Sequence, residues 1–152
     1  MVLIAKLVNT LQITVFVKSG EDLSIVMSKL KEIVPFDFKK EKIKIEETNA
    51  TGVDENPIKI IRILLLKGRL IKPFIELMKN NLSSDQKKLI LKQINSRLDE
   101  NMDFFIRLDK DKLLNGEYFL TDGGNCFHFK MNIACFPKKR INAEIAIREI
   151  FA

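Results

Sequence analysis

The chain has 152 residues, 46% of them hydrophobic and 30% charged, the proportions of a soluble globular protein that builds a core without staples. No apolar run reaches the roughly 18 to 20 residues that a bilayer crossing needs, so a spanning segment is excluded. A net charge of +6, from 26 Lys and Arg against 20 Asp and Glu, permits a polyanionic partner without requiring one.

The opening MVLIAKLVNTL carries Lys6 in its middle and lacks a charged leading region, which makes a poor signal peptide and points to a cytoplasmic protein. Residues 1–9 read as an N-terminal extension. From Thr10 to Lys18 the chain alternates, with Leu11, Ile13, Val15 and Val17 on one side and Gln12, Thr14, Phe16 and Lys18 on the other. This period of two predicts a half-buried strand. Ser19, Gly20, Glu21 and Asp22 form a polar helix start, and Leu23, Val26, Met27, Leu30 and Ile33 follow at helical spacing until Pro35.

Lys42 to Thr48 predicts a second strand with Ile43 and Ile45 inward. Turn residues fill Ala50 to Pro57, and IKIIRILLLK, from Ile58 to Lys67, is apolar on both faces in its middle. That run predicts a strand buried on both sides. Arg69 to Asn80 reads as a helix, with Pro73 tolerable only in its first turn. A second helix, capped by Ser83 or Ser84, carries Leu89, Ile90, Ile94 and Leu98 as its apolar stripe.

Next come a strand at Met102–Leu108, a helical turn from Lys110 to Asn115 closed by Gly116, and a strand at Glu117–Thr121. The Asp122-Gly123-Gly124-Asn125 sequence reads as a hairpin turn into a strand at Cys126–Ala134. Pro137 introduces a last helix ending at Phe151. The sum is a single α+β domain over residues 1–152. Its mixed, mostly antiparallel sheet of about six strands has helices packed on one face.

Cys126 and Cys135 match no zinc spacing, and His128 is the only histidine, so both read as buried or half-buried free thiols. No phosphate-cradling glycine motif occurs, and His128 has no Ser or Cys partner at motif spacing. The expected protein is therefore non-catalytic, with no cofactor, metal or small-molecule substrate. Asp109, with Asp103, Asp111 and Asp122 nearby, admits a metal-dependent nuclease as an alternative, but Asp109 fits better as the cap of the short helical turn.

On the last strands Met102, Phe104, Ile106 and Leu108 share a core face with Phe127, Phe129, Met131 and Ile133. The opposite face collects Phe105 and Arg107, then Tyr118 or Phe119, then His128, Lys130 and Asn132. Rings beside cations suit nucleic acid, because bases stack on rings and phosphates attract cations. If helices cover that face too, its rings are simply core. Lys138, Lys139 and Arg140 follow Pro137 at a helix start, where three cations oppose the helix dipole unless an anion docks there. The expected RNA-contacting set is Lys138, Lys139, Arg140, Arg107, Lys110, Lys130, Phe105 and Tyr118.

The pattern F-x-R-L-D-K at Phe105–Lys110, followed by Leu113 and Gly116-Glu117, resembles an archaeal family of predicted RNA-binding, exosome-associated proteins. Upstream, Phe16-Val17, Glu41–Glu47, Asn56-Pro57-Ile58 and the helix pair from Leu70 to Leu98 extend the resemblance over most of the chain. Thr51-Gly52-Val53-Asp54-Glu55 departs from the family's loop before Asn-Pro. The resemblance implies a fold like that of the ribosomal protein that binds 5S RNA. It also implies binding of structured or double-stranded RNA, and a role in RNA processing or ribosome metabolism with exosome or ribosome components as partners. A protein-interaction subunit of a larger assembly is the second reading. Duplex recognition would use cations more than rings and single strands the reverse, and the residues leave both open.

Overall fold

In the computed structural model, residues 6–152 are described, the Val53 side chain excepted. Alternation in the first segment produces the central strand, β1 (Val8–Lys18), whose Leu11, Ile13, Val15 and Val17 are buried. The expected extension over 1–9 falls partly outside the described residues, while Val8 and Asn9 belong to β1. Helix α1 (Leu23–Ile33) is capped by Asp22, whose carboxylate accepts from the Ser24 N–H at 2.9 Å.

Strands β2 (Ile45–Thr51) and β3 (Pro57–Leu65) pair as an antiparallel hairpin. Helices α2 (Gly68–Asn81), α3 (Ser84–Lys92) and the single turn α4 (Ile94–Arg97) follow. The helix expected to run unbroken to Leu98 is interrupted at Gln93, and Pro73 lies past the first turn of α2. Ser83 caps α3 by accepting from the Gln86 N–H. Strand β4 (Asp103–Asp109) leads into α5 (Lys110–Leu114), where Asp109 accepts from the Lys112 N–H at 2.9 Å, as a cap should. Gly116, at φ +87°, closes that turn in the left-handed region that glycine enters without strain. Strand β5 (Cys126–Ile133) and α6 (Arg140–Phe151) complete the chain.

The five strands form one sheet in the order β2-β3-β1-β5-β4, and every pairing is antiparallel rather than mixed. The expected sixth strand shrinks to one bridge, Leu120 opposite Leu108, held by the Asp109 N–H to Phe119 O and Thr121 N–H to Arg107 O bonds. This segment flanks the outer edge of β4, whereas β5 lies on the inner side. Asp122-Gly123-Gly124-Asn125 therefore spans β4 and is not a hairpin turn. The free N–H of Leu120 points away from β4 and donates to Gln86 Oε1 at 2.7 Å, which ties the segment to α3.

Buried residues of the helices, among them Val26, Leu30, Phe74, Met78, Ile90, Ala143 and Ile147, pack with the inward residues of all five strands except β2's exposed outer edge. Phe74 and Phe129 rings meet at 4.9 Å and Phe104 and Phe151 at 6.1 Å. Each such buried ring contributes roughly 1.5–3 kcal/mol through removal from water. The core face expected for β4 and β5 is buried throughout. Among the described residues, no helix is long and apolar enough to cross a membrane.

Among the described residues, no helix covers the second face of the sheet. That arrangement corrects the expectation for β3: Ile61, Ile63 and Leu65 are buried, but Leu64 is exposed and Arg62 lies on the open side. Both cysteines are free, Cys126 buried and Cys135 half-buried.

Candidate nucleic-acid interface

Because side chains alternate along a strand, the residues opposite the core fall into register rows across the open face. One row runs Glu46, Arg62, Thr14, His128, Arg107, from β2 through β3, β1 and β5 to β4. The next runs Leu64, Gln12, Lys130, Phe105. At about 4.8 Å per strand, the Cα atoms of Arg62 and Arg107 are roughly 14 Å apart, within converging reach of two long side chains.

Phe105, Arg107 and Lys130 thus share one surface, as their parity in the sequence predicts. The Phe105 ring lies 5.7 Å from the His128 ring at a 39° tilt. Lys130 approaches Asp103 at 3.7 Å. Arg107 donates to the Asp122 carbonyl at 3.3 Å, which anchors the glycine-containing loop beside the sheet. Neither Arg62 nor Arg107 makes an ion pair among the described residues; Glu46, the cross-strand neighbour of Arg62, pairs instead with Lys44 at 3.9 Å.

Two adjoining hollows open on this surface. One, of about 370 Å³, is bordered by Gln12, Thr14, Phe16, Arg62 and Gly124, and the other, of about 460 Å³, by Gln93, Ser96, Arg97, Phe105 and Asp122. Arg107 and His128 border both. Burial, reinforced by the cations Arg107 and Lys130, holds the His128 imidazole below its ordinary pKa and therefore neutral at pH 7. Burial likewise lowers Arg97, whose guanidinium donates to Gln93 Oε1 and the Phe105 carbonyl, and raises the Cys126 thiol. Lys130 has Asp103 beside it and Arg97 lies near Asp122, whereas Arg62 and Arg107 are left without an ion pair among the described residues and are the cations an added anion would meet.

The structure places the other expected residues differently. Lys110 is 1% exposed: its ammonium donates to the Phe16 carbonyl and to the Glu21 carboxylate at 3.1 and 3.3 Å. The pair joins the start of α5 to the turn before α1, and it holds the Lys110 ammonium away from solvent. Tyr118 shares the parity of buried Leu120 and packs half-buried against the core, where burial and nearby Glu32 raise its pKa. Phe119 is the exposed ring of that segment, with the Lys112 ammonium 3.6 Å from its centroid. Arg140 binds the Leu98 and Asn95 carbonyls at 3.1 Å each and approaches Glu144 at 3.6 Å, so it closes the C-terminal end of α4. Lys138 and Lys139 are exposed just before α6.

Arg62, Arg97, Gln12, Thr14 and Phe16 are absent from the expected set. The parity of the first strand put Phe16 with Gln12 and Thr14, and Arg62 is a cation in the middle of an apolar run. What no local pattern conveys is that β3, β1 and β5 are neighbours.

Comparison with known proteins places the chain in a wider group. A family model described as RNA binding matches residues 10–133. The chain is similar to RNA-binding protein PAB1135 of Pyrococcus abyssi, at 26% identity over 141 residues, covering 93% of this chain and 92% of the relative. It is 28% identical over 148 residues to the uncharacterized protein MJ0213 of Methanocaldococcus jannaschii, covering 96% and 97% of the two chains. Among solved structures, protein AF2318 from Archaeglobus fulgidus superposes with a TM-score of 0.79 at 29% identity, over 94% of this chain and 99% of the other.

Proposed function

The chain belongs to the RNA binding family, and on that premise we propose that it binds RNA, without catalysis, through the open face of its sheet. The observation that carries the reading is the row in which Arg62 and Arg107 flank Thr14 and His128. Both guanidinium groups lack a carboxylate partner among the described residues, and the exposed Phe16 ring and the half-buried Phe105 ring lie alongside. Guanidinium groups left unpaired on an uncovered surface match phosphate geometry, and rings beside them match bases. Lys138 and Lys139 add phosphate contacts beyond the face, at the N-terminal end of α6. The partner we infer is a structured RNA, in an RNA-processing or ribosome-linked setting; this setting rests on family resemblance alone.

Anisotropy of a labelled structured RNA over a salt series tests the proposal. Affinity should fall linearly on a log–log plot, with a slope near −0.7 to −0.9 per phosphate contact. Changing Lys138 and Lys139 together to Ala reduces that slope by about 1 to 2 and leaves the melting temperature in place. Arg140→Ala behaves in the opposite manner, costing about 1–2 kcal/mol of stability by orphaning two carbonyls and leaving the slope intact. A folded protein whose RNA affinity ignores salt would contradict the proposal.

A second reading has its own support. Phe136 is 96% exposed and Ile141 and Ile145, one helical turn apart on α6, are also exposed. An apolar strip of this kind suits docking onto a protein of a larger assembly. Loss of co-purifying protein on Ile141→Lys with Ile145→Lys, with RNA affinity unchanged, would favour it.

A further inference from the structure

We propose that the RNA on the open face is unpaired, with two consecutive nucleotides lying across the sheet: one base in each hollow, and their linking phosphodiester on the Arg107–His128 ridge between them. The inference rests on the RNA reading above and places the contact at the unpaired nucleotides of a structured RNA, its loops or single-stranded ends.

Three observations converge on it. First, the hollows are adjacent and share only Arg107 and His128, so a ligand filling both must cross those two side chains. Arg107 offers its guanidinium to an anion there, and the neutral His128 can donate one hydrogen bond without adding charge. Second, each hollow has its own ring: Phe16, 43% exposed, borders the first, and Phe105 borders the second. A ring–cation–ring sequence is the pattern of base, phosphate, base along a single strand. Third, Arg62 Nε is buried and has no hydrogen-bond partner among the described residues, within the wall of the first hollow.

That third feature argues for a specific kind of occupant. A donor withdrawn from water and left unsatisfied is costly, and native structures keep few of them. With a turn of the Arg62 side chain, a base carbonyl or phosphate oxygen entering the first hollow would satisfy it. The neighbouring Gln12 amide and Thr14 hydroxyl, on adjoining register rows and both lining this hollow, can hydrogen-bond the edge of the same base. A duplex offers none of this. Its bases are stacked on one another and unavailable to Phe16 or Phe105, and its surface presents backbone and 2′-hydroxyls to a broad shape-matched patch.

The test compares an unstructured oligouridylate with a blunt RNA duplex of equal length, using wild type, Phe16→Ala and Phe105→Leu. Phe16 is surface-exposed and leucine preserves the packing at 105, so circular dichroism should show both variants folded. The expected result is preference for the oligouridylate and a loss of about 5- to 100-fold in its affinity for each variant, the range for one stacked base. Duplex binding, weak already, should not change between variants. Stronger binding to duplex than to oligouridylate, or oligouridylate affinity indifferent to both substitutions, would overturn this inference while leaving RNA binding itself standing. Failure of the folded wild type to bind either RNA would remove the RNA reading and this inference with it.

Discussion

Replacing Lys110 by methionine lowers the unfolding free energy by about 2–4 kcal/mol, because a buried ammonium is removed and its acceptors, the Phe16 carbonyl and the partly exposed Glu21 carboxylate, are left behind. Methionine keeps the unbranched apolar stem, so the loss is not one of packing. What disappears is the ammonium that donates to the Phe16 carbonyl and the Glu21 carboxylate. Glu21 retains the Lys18 N–H at 2.8 Å and some water, which keeps the loss below the full cost of an isolated buried charge. For a domain of this size the melting temperature should fall by about 4–16 °C in circular dichroism.

The same pair sets an acid limit. Partial burial of Glu21 pushes its carboxyl pKa up, but the Lys18 N–H and the hydrogen bond and charge of Lys110 together outweigh burial and hold it below the ordinary 4.5. A carboxyl with a depressed folded-state pKa contributes stability that is fully present above pH 4.5. That contribution is lost as pH falls through the folded-state value. The stability gap between wild type and Lys110→Met should consequently narrow below pH 4.5. RNA affinity of the folded variant should equal that of wild type, since Lys110 lies inside the protein. A melting temperature unchanged by the substitution would mean that the ion pair does not form.

The second large effect concerns Arg62 and Arg107. Changing both to glutamine should weaken single-stranded RNA binding about 10- to 100-fold at moderate salt and reduce the log–log salt slope by about 1.4, two contacts at 0.7 each. Stability should change by less than about 1 kcal/mol, because Arg62→Gln removes an unsatisfied buried donor, Arg107→Gln gives up one exposed bond to the Asp122 carbonyl, and neither arginine supports an ion pair among the described residues. Stability unharmed while binding collapses is the signature of residues kept for a ligand rather than for the fold. Isothermal denaturation and anisotropy on the same variant separate the two. A variant that loses stability and keeps affinity would show that these side chains belong to the scaffold.

Local periodicity made much of this architecture legible. Alternation in TLQITVFVK and in the strands after Met102 told core face from open face residue by residue, since inward and outward side chains must alternate. The cap roles of Ser83 and Asp109 could be read for a similar reason: each hydroxyl or carboxylate stands just before a helical run. Strand order is a different kind of information. Nothing within IKIIRILLL says that one of its faces stays uncovered, so Arg62 looked like part of a doubly buried strand. The Gly-Gly turn has the composition of a hairpin, yet it spans β4 because β4 pairs with the segment on one edge and β5 on the other.

The structure buries Lys110 and half-buries Tyr118 for subtler reasons. Lysine is rarely buried unless paired, and its partner Glu21 lies far away in the chain, so burial could not be foreseen from neighbours in sequence. The choice between Tyr118 and Phe119 needed one phase, and the bridge of Leu120 to buried Leu108 supplies it. Arg140 sits in a basic cluster that looks like an anion site, but its fork geometry equally suits two backbone carbonyls, and those are what it binds.

Backbone amide shifts followed by NMR during titration with an unstructured oligouridylate test the account most directly. Perturbations should concentrate on Thr14, Arg62, Arg107, His128 and Lys130 and the loop around Gly124, leaving α1, α2 and the body of α6 unmoved. Shifts confined to the helical layer, with the open face of the sheet silent at saturation, would contradict it.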